Sequence, residues 1–443
     1  MAKTFRIGGI HPCANKLSSG TPIVALPLPE SVQIPISQHI GAPAVPVVKR
    51  GDAVKVGTLI AKSAGFVSAN IHASISGKVH KIEEVVDASG YKKTVITIKS
   101  DGEDVWEEGI DRSETLEKEV KLAAEDIVSR INECGIVGMG GATFPTNVKL
   151  TPPKGMTPEV IIVNGVECEP YLTADHRLML EKGEQILIGA TALMKATGVG
   201  RVVIAIEENK PDAIQHLSEL AQEYSGIEVQ PLKVKYPQGG EKQLIDAVLH
   251  RQVKSGQLPI SVGAIVQNIG TVYAIYEAVQ KNKPLIERVV TVTGKHLAQP
   301  ANYLVRLGTS ASELIEMSGG VPEGTAKIIS GGPMMGKALV EEGVPVTKGT
   351  SGILFLDEKE TKRKPMRNCI RCAKCVNVCP MGLNPAFLMR DTVFKDWETL
   401  EKNHIMDCIE CGSCSYTCPA NRPLLDRIRQ GKQIVGGIIR SRK

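Results

Sequence analysis

Two runs of cysteines near the C-terminal end of this chain have a spacing that suits iron–sulfur chemistry. Each run reads C-x2-C-x2-C-x3-C-P, and the two runs hold eight of the eleven cysteines. With this spacing, three thiolates on one tight loop cap a cubane, and the fourth cysteine of each run ligates the cluster of the other run. The spacing therefore predicts two [4Fe-4S] clusters, one on Cys369, Cys372, Cys375 and Cys418 and the other on Cys408, Cys411, Cys414 and Cys379.

Zinc sites and disulfide bonds are the ordinary alternatives for grouped cysteines. A zinc site normally takes four ligands as two pairs, which two interlocked runs of four do not suit. Disulfides need an oxidising compartment, and the N-terminal residues lack the apolar stretch of an export signal. Iron–sulfur ligation, and with it electron transfer, is the prediction that the spacing favours.

The composition indicates a soluble globular chain of two to four domains. Of its 443 residues, 42% are hydrophobic and 23% are charged, which is ordinary for such proteins. Aromatic residues make up only 4%, so the core must be aliphatic. No apolar run is long enough to span a bilayer, so we expect a cytoplasmic protein or one attached to a membrane from the cytoplasmic side.

Positive charge is mild overall and concentrated in two places. The net charge is +5, with basic clusters at 362–364 and at the C-terminal end, residues 440–443. No nucleic-acid motif or aromatic stacking platform accompanies them, so nucleic acid is not a predicted partner. A solvated surface is the ordinary interpretation, and contact with an acidic partner or with anionic lipid is the alternative.

Residues 1–110 are predicted to form an all-β domain. Glycine, proline and β-branched residues dominate, and Gly-Asp turns separate short apolar stretches. The pattern resembles the barrel-sandwich fold of biotinyl and lipoyl carriers. Segment 63–70, where those carriers present a modified lysine, contains none. We therefore predict a structural or docking module and not a swinging arm.

Residues 111–288 are predicted to form an α/β domain with a largely parallel sheet. Apolar residues at three- and four-residue spacing indicate an opening helix over 113–134, which Ser113 caps and Gly135 ends. Short β-branched runs then alternate with helical stretches. The predicted strands are 160–163, 202–206, 227–234 and 264–267, and the predicted helices are 177–196, 213–224, 241–250 and 272–280.

Two smaller domains are predicted to follow. Residues 289–357 have the pattern of a mixed domain of strands with one short helix at 311–317, and its glycine clusters mark turns. Residues 358–443 form the two-cluster domain. The segment between the cysteine runs, 384–400, is predicted to be mostly helical.

A glycine-rich loop lies between the opening helix and the first strand of the α/β domain. It contains Gly138, Gly140 and Gly141, followed by Phe144 and Lys149. Glycines let backbone N–H groups approach a ligand closely, and a nearby lysine favours a phosphate. The loop lacks the Gly-Lys-Ser/Thr of a Walker A motif, and it follows a helix where a Rossmann fingerprint follows a strand. By itself it is either a plain turn or a phosphate-binding loop.

Four segments, in the same order, resemble the NADH-oxidising subunit of respiratory complex I. The glycine-rich loop is similar to the flavin mononucleotide loop of that family, GxGGAGFPxxxKW. Segment 163–170 (VNGVECEP) is similar to its NADESEP, 237–241 (PQGGE) to its CGEE turn and 267–271 (QNIGT) to its NNVET. The domain after residue 289 resembles the soluble-ligand-binding β-grasp domain of that family. The complex I protein has one cluster in a helical tail, whereas this chain has the spacing for two.

The two-cluster tail, the N-terminal GGIHP at 8–12 and the barrel-sandwich-like domain together resemble the C subunits of Rnf ion-translocating oxidoreductases over essentially the whole chain. The resemblance implies a multidomain α/β protein with a β barrel-sandwich, a Rossmann-like FMN/NADH-binding domain, a β-grasp domain and a helical ferredoxin-like domain. It implies FMN, two [4Fe-4S] clusters and NAD(H) as substrate. It further implies a peripheral electron-input subunit on the cytoplasmic side of the inner membrane. Its partners would be other subunits of the complex, one of them ferredoxin-like, coupled to sodium or proton movement.

The resemblance also implies roles for single residues of the flavin site. The backbone at Gly138, Gly140 and Gly141 would wrap the flavin phosphate and ribityl chain. The side chains implied to contact the flavin are Lys149 near the phosphate, Asn164 near the isoalloxazine, and Asn268 and Thr271 at the phosphate end.

For the dinucleotide, the resemblance implies that Phe144 stacks on the nicotinamide or adenine ring and that Glu169 and Glu241 form hydrogen bonds. Glu167 lies in the same motif as Glu169, and Gly240 lies in the same motif as Glu241. Both are therefore further candidates for cofactor binding. The chain departs from the complex I pattern at four positions. The arginine of the loop is Met139, the aspartate of NADES is Val166, the first glutamate of CGEE is Gly240, and the tryptophan after the lysine is Leu150.

Two other functions are compatible with the same motifs. One is a flavin- and iron–sulfur-dependent cobalamin reductase of a microcompartment, which is built similarly. The other is a ferredoxin-like relay whose α/β domain has lost its flavin. Of the remaining candidates, His11 is predicted to make a structural hydrogen bond, and Cys13, Cys134 and Cys168 to be inert buried thiols.

Overall fold

The computed structural model describes residues 2–87 and 90–442, and its N-terminal region is all-β. The strands are β1 (Ile23–Ala25), β2 (Ser31–Pro35), β3 (Val45–Pro46), β4 (Ala53–Val54), β5 (Leu59–Lys62), β6 (Ile71–His72), β7 (Gly77–Val86) and β8 (Lys92–Ser100). An antiparallel sheet of order β2-β8-β7-β4 and a second sheet of order β3-β5-β6 enclose an entirely aliphatic core. The expectation of an all-β region is confirmed. The aliphatic core expected of the whole chain is found in this region, whereas the large core of the regions that follow also contains Tyr276, Tyr303 and Phe355.

The central region alternates strands and helices around a parallel sheet. Its elements are α1 (Ala124–Glu133), α2 (Thr146–Lys149), β9 (Val160–Asn164), α3 (Ala174–Glu181), α4 (Gly183–Thr197), β10 (Val202–Glu207), α5 (Pro211–Leu220), β11 (Ile227–Leu232), α6 (Glu241–Leu249), β12 (Ala264–Asn268) and α7 (Ile269–Lys281). The four strands have the order β11-β10-β9-β12, and all neighbours are parallel. The four strands predicted from β-branched runs are confirmed.

The order of this sheet creates a switch point between β9 and β12. The chain builds outward from β9 through β10 to β11 and then returns to add β12 on the other side of β9. In open parallel sheets, ligands bind outside the carboxyl ends of the strands where the order reverses in this way. The last residues of the two strands, Asn164 and Asn268, are paired in register at this edge.

Two of the predicted helices are wrong in extent. The helix predicted over 113–134 begins only at Ala124, because side chains of α7 take up backbone carbonyls that a helix would use. Gln280 Nε2 donates to the carbonyl oxygens of Glu117 and Glu119, and Lys281 Nζ donates to that of Thr115. The helix predicted over 177–196 breaks at 182, and α4 begins with Gly183, which packs closely against α5.

The third region forms a mixed sheet that also recruits the N-terminal strand. Its elements are β13 (Glu287–Gly294), β14 (Ala301–Arg306), α8 (Ala311–Met317), β15 (Thr325–Ser330), β16 (Lys337–Ala338) and β17 (Gly352–Asp357). The sheet order is β1-β14-β13-β17-β15-β16, with β1 parallel to β14. The short helix falls where it was predicted, and a capping box between Ser310 and Glu313 begins it.

The C-terminal region is helical and packs around its own apolar core. Its helices are α9 (Glu358–Thr361), α10 (Lys374–Asn377), α11 (Pro385–Val393), α12 (Trp397–Lys402), α13 (Ser413–Tyr416) and α14 (Leu424–Ser441). The segment between the cysteine runs is mostly helical, as predicted, and α14 closes over it through Ile428 and Val435. Among the residues that the structure describes, no helix is both long enough and apolar enough to cross a membrane.

Candidate functional site

The carboxyl edge of the parallel sheet carries a hydrogen-bonded network built on Asn268. Its Oδ1 accepts the N–H groups of Gly270 at 2.9 Å and Thr271 at 3.3 Å, so Asn268 caps α7. Its Nδ2 donates to Asp175 Oδ2 at 2.7 Å. The neighbouring Asn164 donates to the carbonyl oxygen of Gly239 at 2.9 Å. The two asparagines that the complex I resemblance singled out thus lie side by side at the switch point.

The glycine-rich loop lies directly over this edge. Gly138 N–H donates to the carbonyl oxygen of Phe144 at 2.8 Å, which closes the loop, and Met139 N–H donates to Thr271 Oγ1 at 2.9 Å. A Cβ at Gly140 would lie only 3.0 Å from the Cβ of Asn268, so the loop approaches α7 as closely as glycine permits. Gly140 and Gly141 are exposed, and Phe144 is half-buried, so the aromatic ring is not part of the core.

The turn at 237–241 meets the loop from the other side of the edge. Lys149 Nζ, at the end of α2, donates to Glu241 Oε1 at 2.7 Å and to the carbonyl oxygen of Val266 at 3.1 Å. Gly240 is the residue before α6, and Glu241 is its first residue. The structure therefore brings the glycine loop, Lys149 and the turn at 237–241 together around one edge, although they are about a hundred residues apart in sequence.

A buried arginine below the loop was missed by sequence reasoning. Arg288, on β13, donates through Nη2 to the carbonyl oxygen of Met139 at 3.1 Å and through Nη1 to that of Lys348. Burial lowers the pKa of Arg288 to about 10, and burial raises the pKa of Asp175 to about 7, with Glu167 adding to the rise. A positive charge thus lies under the loop position where the complex I motif has arginine and this chain has Met139. A lone arginine in an otherwise buried strand is the sequence signal that would have found it.

The carboxylates of Glu167 and Glu169 accept hydrogen bonds from backbone N–H groups of the protein itself. Glu167 accepts the N–H groups of Asp175 at 2.8 Å and His176 at 3.2 Å at the start of α3. Glu169 accepts those of Met334 at 3.2 Å and Met335 at 2.8 Å, and burial raises its pKa to about 7. The structure gives both glutamates a role in holding loops, and their contact with a dinucleotide stays a prediction.

Four of the eight cysteines surround one pocket in the C-terminal region. Cys379 from the first run and Cys408, Cys411 and Cys414 from the second line it, among apolar side chains that include Leu388 and Ile428. Burial is the largest cause that raises the pKa of Cys408 to about 11 and of Cys414 to about 12, and the other thiols of the set add to both shifts. This set, which we term the inner thiols, is the one that the crossed ligation pattern predicts.

The other four cysteines lie at the surface. Cys369 and Cys372 are exposed, and Cys375 and Cys418 are half-buried. Cys375 and Cys418 are near enough for each other's charge to matter, because Cys418 adds to the burial that raises the pKa of Cys375. We term this set the outer thiols. The two sets therefore differ sharply in burial, although their sequence patterns are the same.

The loops that carry the inner thiols are fastened to the parallel-sheet region at two points and to the N-terminal segment at a third. Tyr236, which is buried, donates its hydroxyl to the carbonyl oxygen of Cys411 at 2.8 Å. Gln243 Nε2, on α6, donates to the carbonyl oxygen of Pro380 at 3.1 Å, and Gly9 N–H donates to that of Val378 at 2.9 Å. Tyr236 and Gln243 flank the turn at 237–241. One short segment therefore contacts both the carboxyl edge of the parallel sheet and the loops of the inner thiols.

The residues outside the site behave largely as predicted. His11 Nδ1 lies 3.0 Å from the carbonyl oxygen of Val234, a structural hydrogen bond. Burial raises the pKa of Cys134 and of Cys168 to about 12, so both thiols stay protonated and inert. The expectation for Cys13 is wrong, because this thiol is exposed.

The residues present fit the groups that the sequence predicts. At the sheet edge, the exposed glycine backbone, Lys149 and the buried Gln267 Nε2, which has no partner among the described residues, leave donors for a phosphorylated ring system. In the C-terminal region, four thiols around an apolar pocket suit a cubane. No group of three or more His, Cys, Asp or Glu side chains within 2–87 and 90–442 is gathered closely enough to hold a single metal ion.

Four protein-family models match successive parts of the chain. The RnfC barrel sandwich hybrid domain matches residues 3–103, the Nuo51 FMN-binding domain 131–277, the SLBB domain 289–338 and the 4Fe-4S dicluster domain 359–422. The fold and site thus define a mixed α/β redox protein with an FMN-binding domain and a 4Fe-4S dicluster domain. The domain limits given above from sequence stay predictions.

Curated relatives resemble almost the whole chain. The C subunit of the proton-translocating ferredoxin:NAD(+) oxidoreductase complex of Clostridium ljungdahlii is 48% identical, over 88% of this chain and 84% of its own. Its counterpart in the Na(+)-translocating complex of Acetobacterium woodii is 44% identical, over 97% and 96%. The counterpart in the ion-translocating oxidoreductase complex of Rhodobacter capsulatus is 44% identical, over 85% and 73%. The chain belongs to this family, the C subunits of Rnf ion-translocating oxidoreductase complexes.

Among solved structures, the NAD+-reducing [NiFe]-hydrogenase in the air-oxidized state matches 70% of this chain and 63% of its own chain. The TM-score is 0.49 at 17% identity. The H2-reduced state of that enzyme matches with a TM-score of 0.47 at 18% identity. A likeness at this level carries no argument about function.

Proposed function

We propose that this chain is the peripheral electron-input subunit of a membrane-bound, ion-translocating NADH:ferredoxin oxidoreductase complex. Electrons pass between NAD(H), FMN and two [4Fe-4S] clusters. The observation that carries the proposal is the segment 236–243, which contacts the switch-point edge at one side and the inner thiols at the other. The named relatives, all subunits of such complexes, favour this function over a microcompartment cobalamin reductase.

The proposed flavin site occupies the switch-point edge. The backbone at Gly138, Gly140 and Gly141 would wrap the phosphate and ribityl chain, with Asn268 and Thr271 at the phosphate end. Lys149 would neutralise phosphate charge, with Glu241 setting its position, as their 2.7 Å contact suggests. Asn164 would lie near the isoalloxazine ring.

The proposed dinucleotide site lies on the open side of the flavin. Phe144, half-buried beside the glycine loop, would stack on a ring of NAD(H). Glu241 and Gly240 border the same space, and Glu167 and Glu169 would shape it through the loops that they hold. These assignments rest on the position of the residues around one edge of the sheet.

The roles of the cofactors and of the protein follow from the number of electrons that each group transfers at a time. A hydride carries two electrons, a [4Fe-4S] cluster passes one at a time, and bound FMN supplies the conversion between the two. The protein then needs no general acid or base for the hydride step. Its residues align the two rings, keep water out of the contact and hold the inner cluster beside the flavin domain.

The finer architecture and the location are part of the same proposal. The parallel-sheet region would be Rossmann-like, the mixed sheet a β-grasp domain and the C-terminal region a ferredoxin-like domain. The inner cluster would be held by Cys379, Cys408, Cys411 and Cys414, and the outer by Cys369, Cys372, Cys375 and Cys418. The protein would sit at the cytoplasmic face of the inner membrane, with other subunits of the complex, one of them ferredoxin-like, as its partners.

Anaerobic protein with reconstituted clusters and added FMN tests the proposal. We expect NADH to bleach the flavin absorption and to support reduction of ferricyanide. Protein with full cluster absorption that retains no flavin and shows no NADH-dependent reduction would contradict the proposal and would favour a relay without flavin.

A further inference from the structure

Two loops of the N-terminal barrel-sandwich region lie against the glycine-rich loop. One is segment 36–44, which connects β2 to β3, and the other is segment 63–70, which connects β5 to β6. Ala42 N–H donates to the carbonyl oxygen of Val67 at 3.0 Å, and Ser68 Oγ donates to that of Ala42 at 2.9 Å. The two loops are therefore joined to each other, and we term them the support loops.

The support loops contact the glycine-rich loop at both of its ends. At the C-terminal end, Ile40 N–H donates to the carbonyl oxygen of Thr143 at 3.3 Å. Thr143 has a φ of +49°, a left-handed conformation that a β-branched residue rarely adopts, so its backbone needs contacts from outside the loop. At the N-terminal end, Asn70 Nδ2 donates to the carbonyl oxygens of Asn132 at 3.4 Å and Glu133 at 3.2 Å, in the last turn of α1.

A fully buried lysine joins the support loops to the start of the glycine-rich loop. Lys348 is 0% exposed, and its Nζ donates to the carbonyl oxygens of Asn70 at 2.8 Å and Gly135 at 2.7 Å. Gly135 has a φ of +63°, and a Cβ there would overlap the carbonyl oxygen of Asn70, so the two backbones approach as closely as glycine permits. The carbonyl oxygen of Lys348 accepts Nη1 of Arg288, whose Nη2 donates to Met139. One connected set of hydrogen bonds thus runs from the support loops to the middle of the glycine-rich loop.

Lys348 and Arg288 also place two buried cations behind the glycine-rich loop. Arg288 donates to the carbonyl oxygen of Met139. Because the C=O and N–H of one trans peptide group point in opposite directions, the N–H of Gly140 points away from the arginine. Gly140 is exposed, so this arrangement suits an anion on the outer side of the loop, where the N–H group and both positive charges attract it together.

We propose that the barrel-sandwich region is part of the flavin site: the support loops position the glycine-rich loop for the phosphate of FMN, and Lys348 is the positioning residue that joins them. This inference rests on the proposed flavin site and goes beyond it, because it gives a function to the N-terminal region. Without the Lys348 ammonium, the loop keeps its glycines but loses the contact that fixes its start. Binding should then lose the contribution of the phosphate more than that of the ring.

The preference for FMN over riboflavin, measured by equilibrium dialysis, tests the proposal. The two flavins differ only in the phosphate, so the ratio of their dissociation constants reports the phosphate site, whereas a loss of folded protein would weaken both equally. In full-length protein with reconstituted clusters, Lys348→Met should lower the preference at least about tenfold. The control Lys281→Met, at a buried lysine that donates to the carbonyl oxygen of Thr115, should keep the parent preference.

Asn70→Ala tests the support loops without removing a buried charge, and it decides the matter if Lys348→Met does not fold. It should lower the preference for FMN about two- to tenfold, because it removes the hydrogen bonds to the last turn of α1. Ser76→Ala is its control in the same region, since the Ser76 hydroxyl lies outside both support loops and donates to Asp101 Oδ1 at 2.7 Å. This control should keep the parent preference.

Hydrogen exchange of flavin-free protein separates failure of the inference from failure of the proposed function. Peptides that cover 135–144 should exchange about tenfold faster in Lys348→Met than in the parent protein or in Lys281→Met. An unchanged preference for FMN in both Lys348→Met and Asn70→Ala would overturn the inference and leave the proposed function intact. Parent protein that binds neither flavin would refute the proposed function, and faster exchange of the loop in Lys348→Met would still support the positioning role.

Discussion

Replacing Gly8 with alanine should loosen the contact between the N-terminal segment and the cysteine loop that contributes Cys379 to the inner thiols. Gly8 has a φ of +68°, and a Cβ placed on it would lie 2.6 Å from the carbonyl carbon and oxygen of Cys379 and 2.7 Å from the carbonyl oxygen of Val378. These neighbours are backbone atoms of the cysteine loop and cannot rotate away. The N-terminal segment must therefore move off the loop, and the hydrogen bond from Gly9 N–H to Val378 goes with it.

The free-energy cost of Gly8→Ala has two parts, which a matched control variant separates. A non-glycine residue with left-handed φ costs about 1 kcal/mol, and forced overpacking costs about 1–3 kcal/mol more. Gly256 has nearly the same φ, +71°, with no atom within 4 Å of a built Cβ. Gly256→Ala should therefore show the first cost alone. The difference of about 1–3 kcal/mol should appear as a 5- to 150-fold increase in the detached population.

Hydrogen exchange measured by mass spectrometry is the suitable assay. In Gly8→Ala, the peptides that contain Gly9, Ile10 and Val378 should exchange about 5- to 150-fold faster, and those of the parallel-sheet core should not change. Gly256→Ala should leave the same peptides at the parent rate. Equal protection in the two variants would refute the inference that the N-terminal segment holds the inner thiols in place.

Three further predictions concern the flavin site and its surroundings. Lys149→Ala should weaken flavin binding about tenfold or more in equilibrium dialysis without changing the absorption of the clusters. The control Lys154→Ala, at an exposed lysine, should change neither flavin binding nor cluster absorption. Loss of the clusters in Lys149→Ala would mean that the flavin site is misplaced. Arg288→Met removes two hydrogen-bond donors to loop carbonyl oxygens and leaves the Asp175 carboxyl without its nearby cation. Urea unfolding should therefore show that the free energy of unfolding falls by about 3 kcal/mol, and flavin should bind more weakly. An unchanged free energy of unfolding would contradict this role. Because burial raises the pKa of Glu169 to about 7 from 4.5, the buried carboxyl stabilises the fold fully below pH 4.5, and this contribution is lost as the pH rises to 7. The stability of the parent relative to Glu169→Gln should thus fall by up to about 3 kcal/mol between pH 4.5 and 7, and a constant difference would refute the shift.

Local patterns predicted the elements whose own residues carry a clear signal, even where their strand partners lie far away in sequence. The β-branched runs at 160–163 and 264–267 form strands because their aliphatic residues are buried on both faces of a parallel sheet. The cysteine runs are local as well, since their spacing alone places the thiols on tight loops. The segment 384–400 is helical between them, as its pattern indicated.

Long-range contacts decided what the sequence did not show. Residues 113–123 have a helical pattern, but Gln280 and Lys281 bind their carbonyl groups and hold them out of a helix. The loops of the inner thiols are hydrogen-bonded to Tyr236 and to the N-terminal segment, which lie far away in the chain and which the cysteine spacing does not indicate. The GGIHP motif, which only supported a resemblance at first, has a physical reason in this contact, because Gly8 fits against Cys379 without a side chain.

The proposed electron path needs a flavin at the switch point of the parallel sheet and two [4Fe-4S] clusters in the C-terminal region. The most direct test is an anaerobic count of iron, acid-labile sulfide and FMN per chain in reconstituted protein. We expect about eight irons and eight sulfides per chain, from two clusters of four irons each, and about one FMN. About four irons, zinc bound in place of iron, or protein that retains no FMN would contradict the proposed electron path.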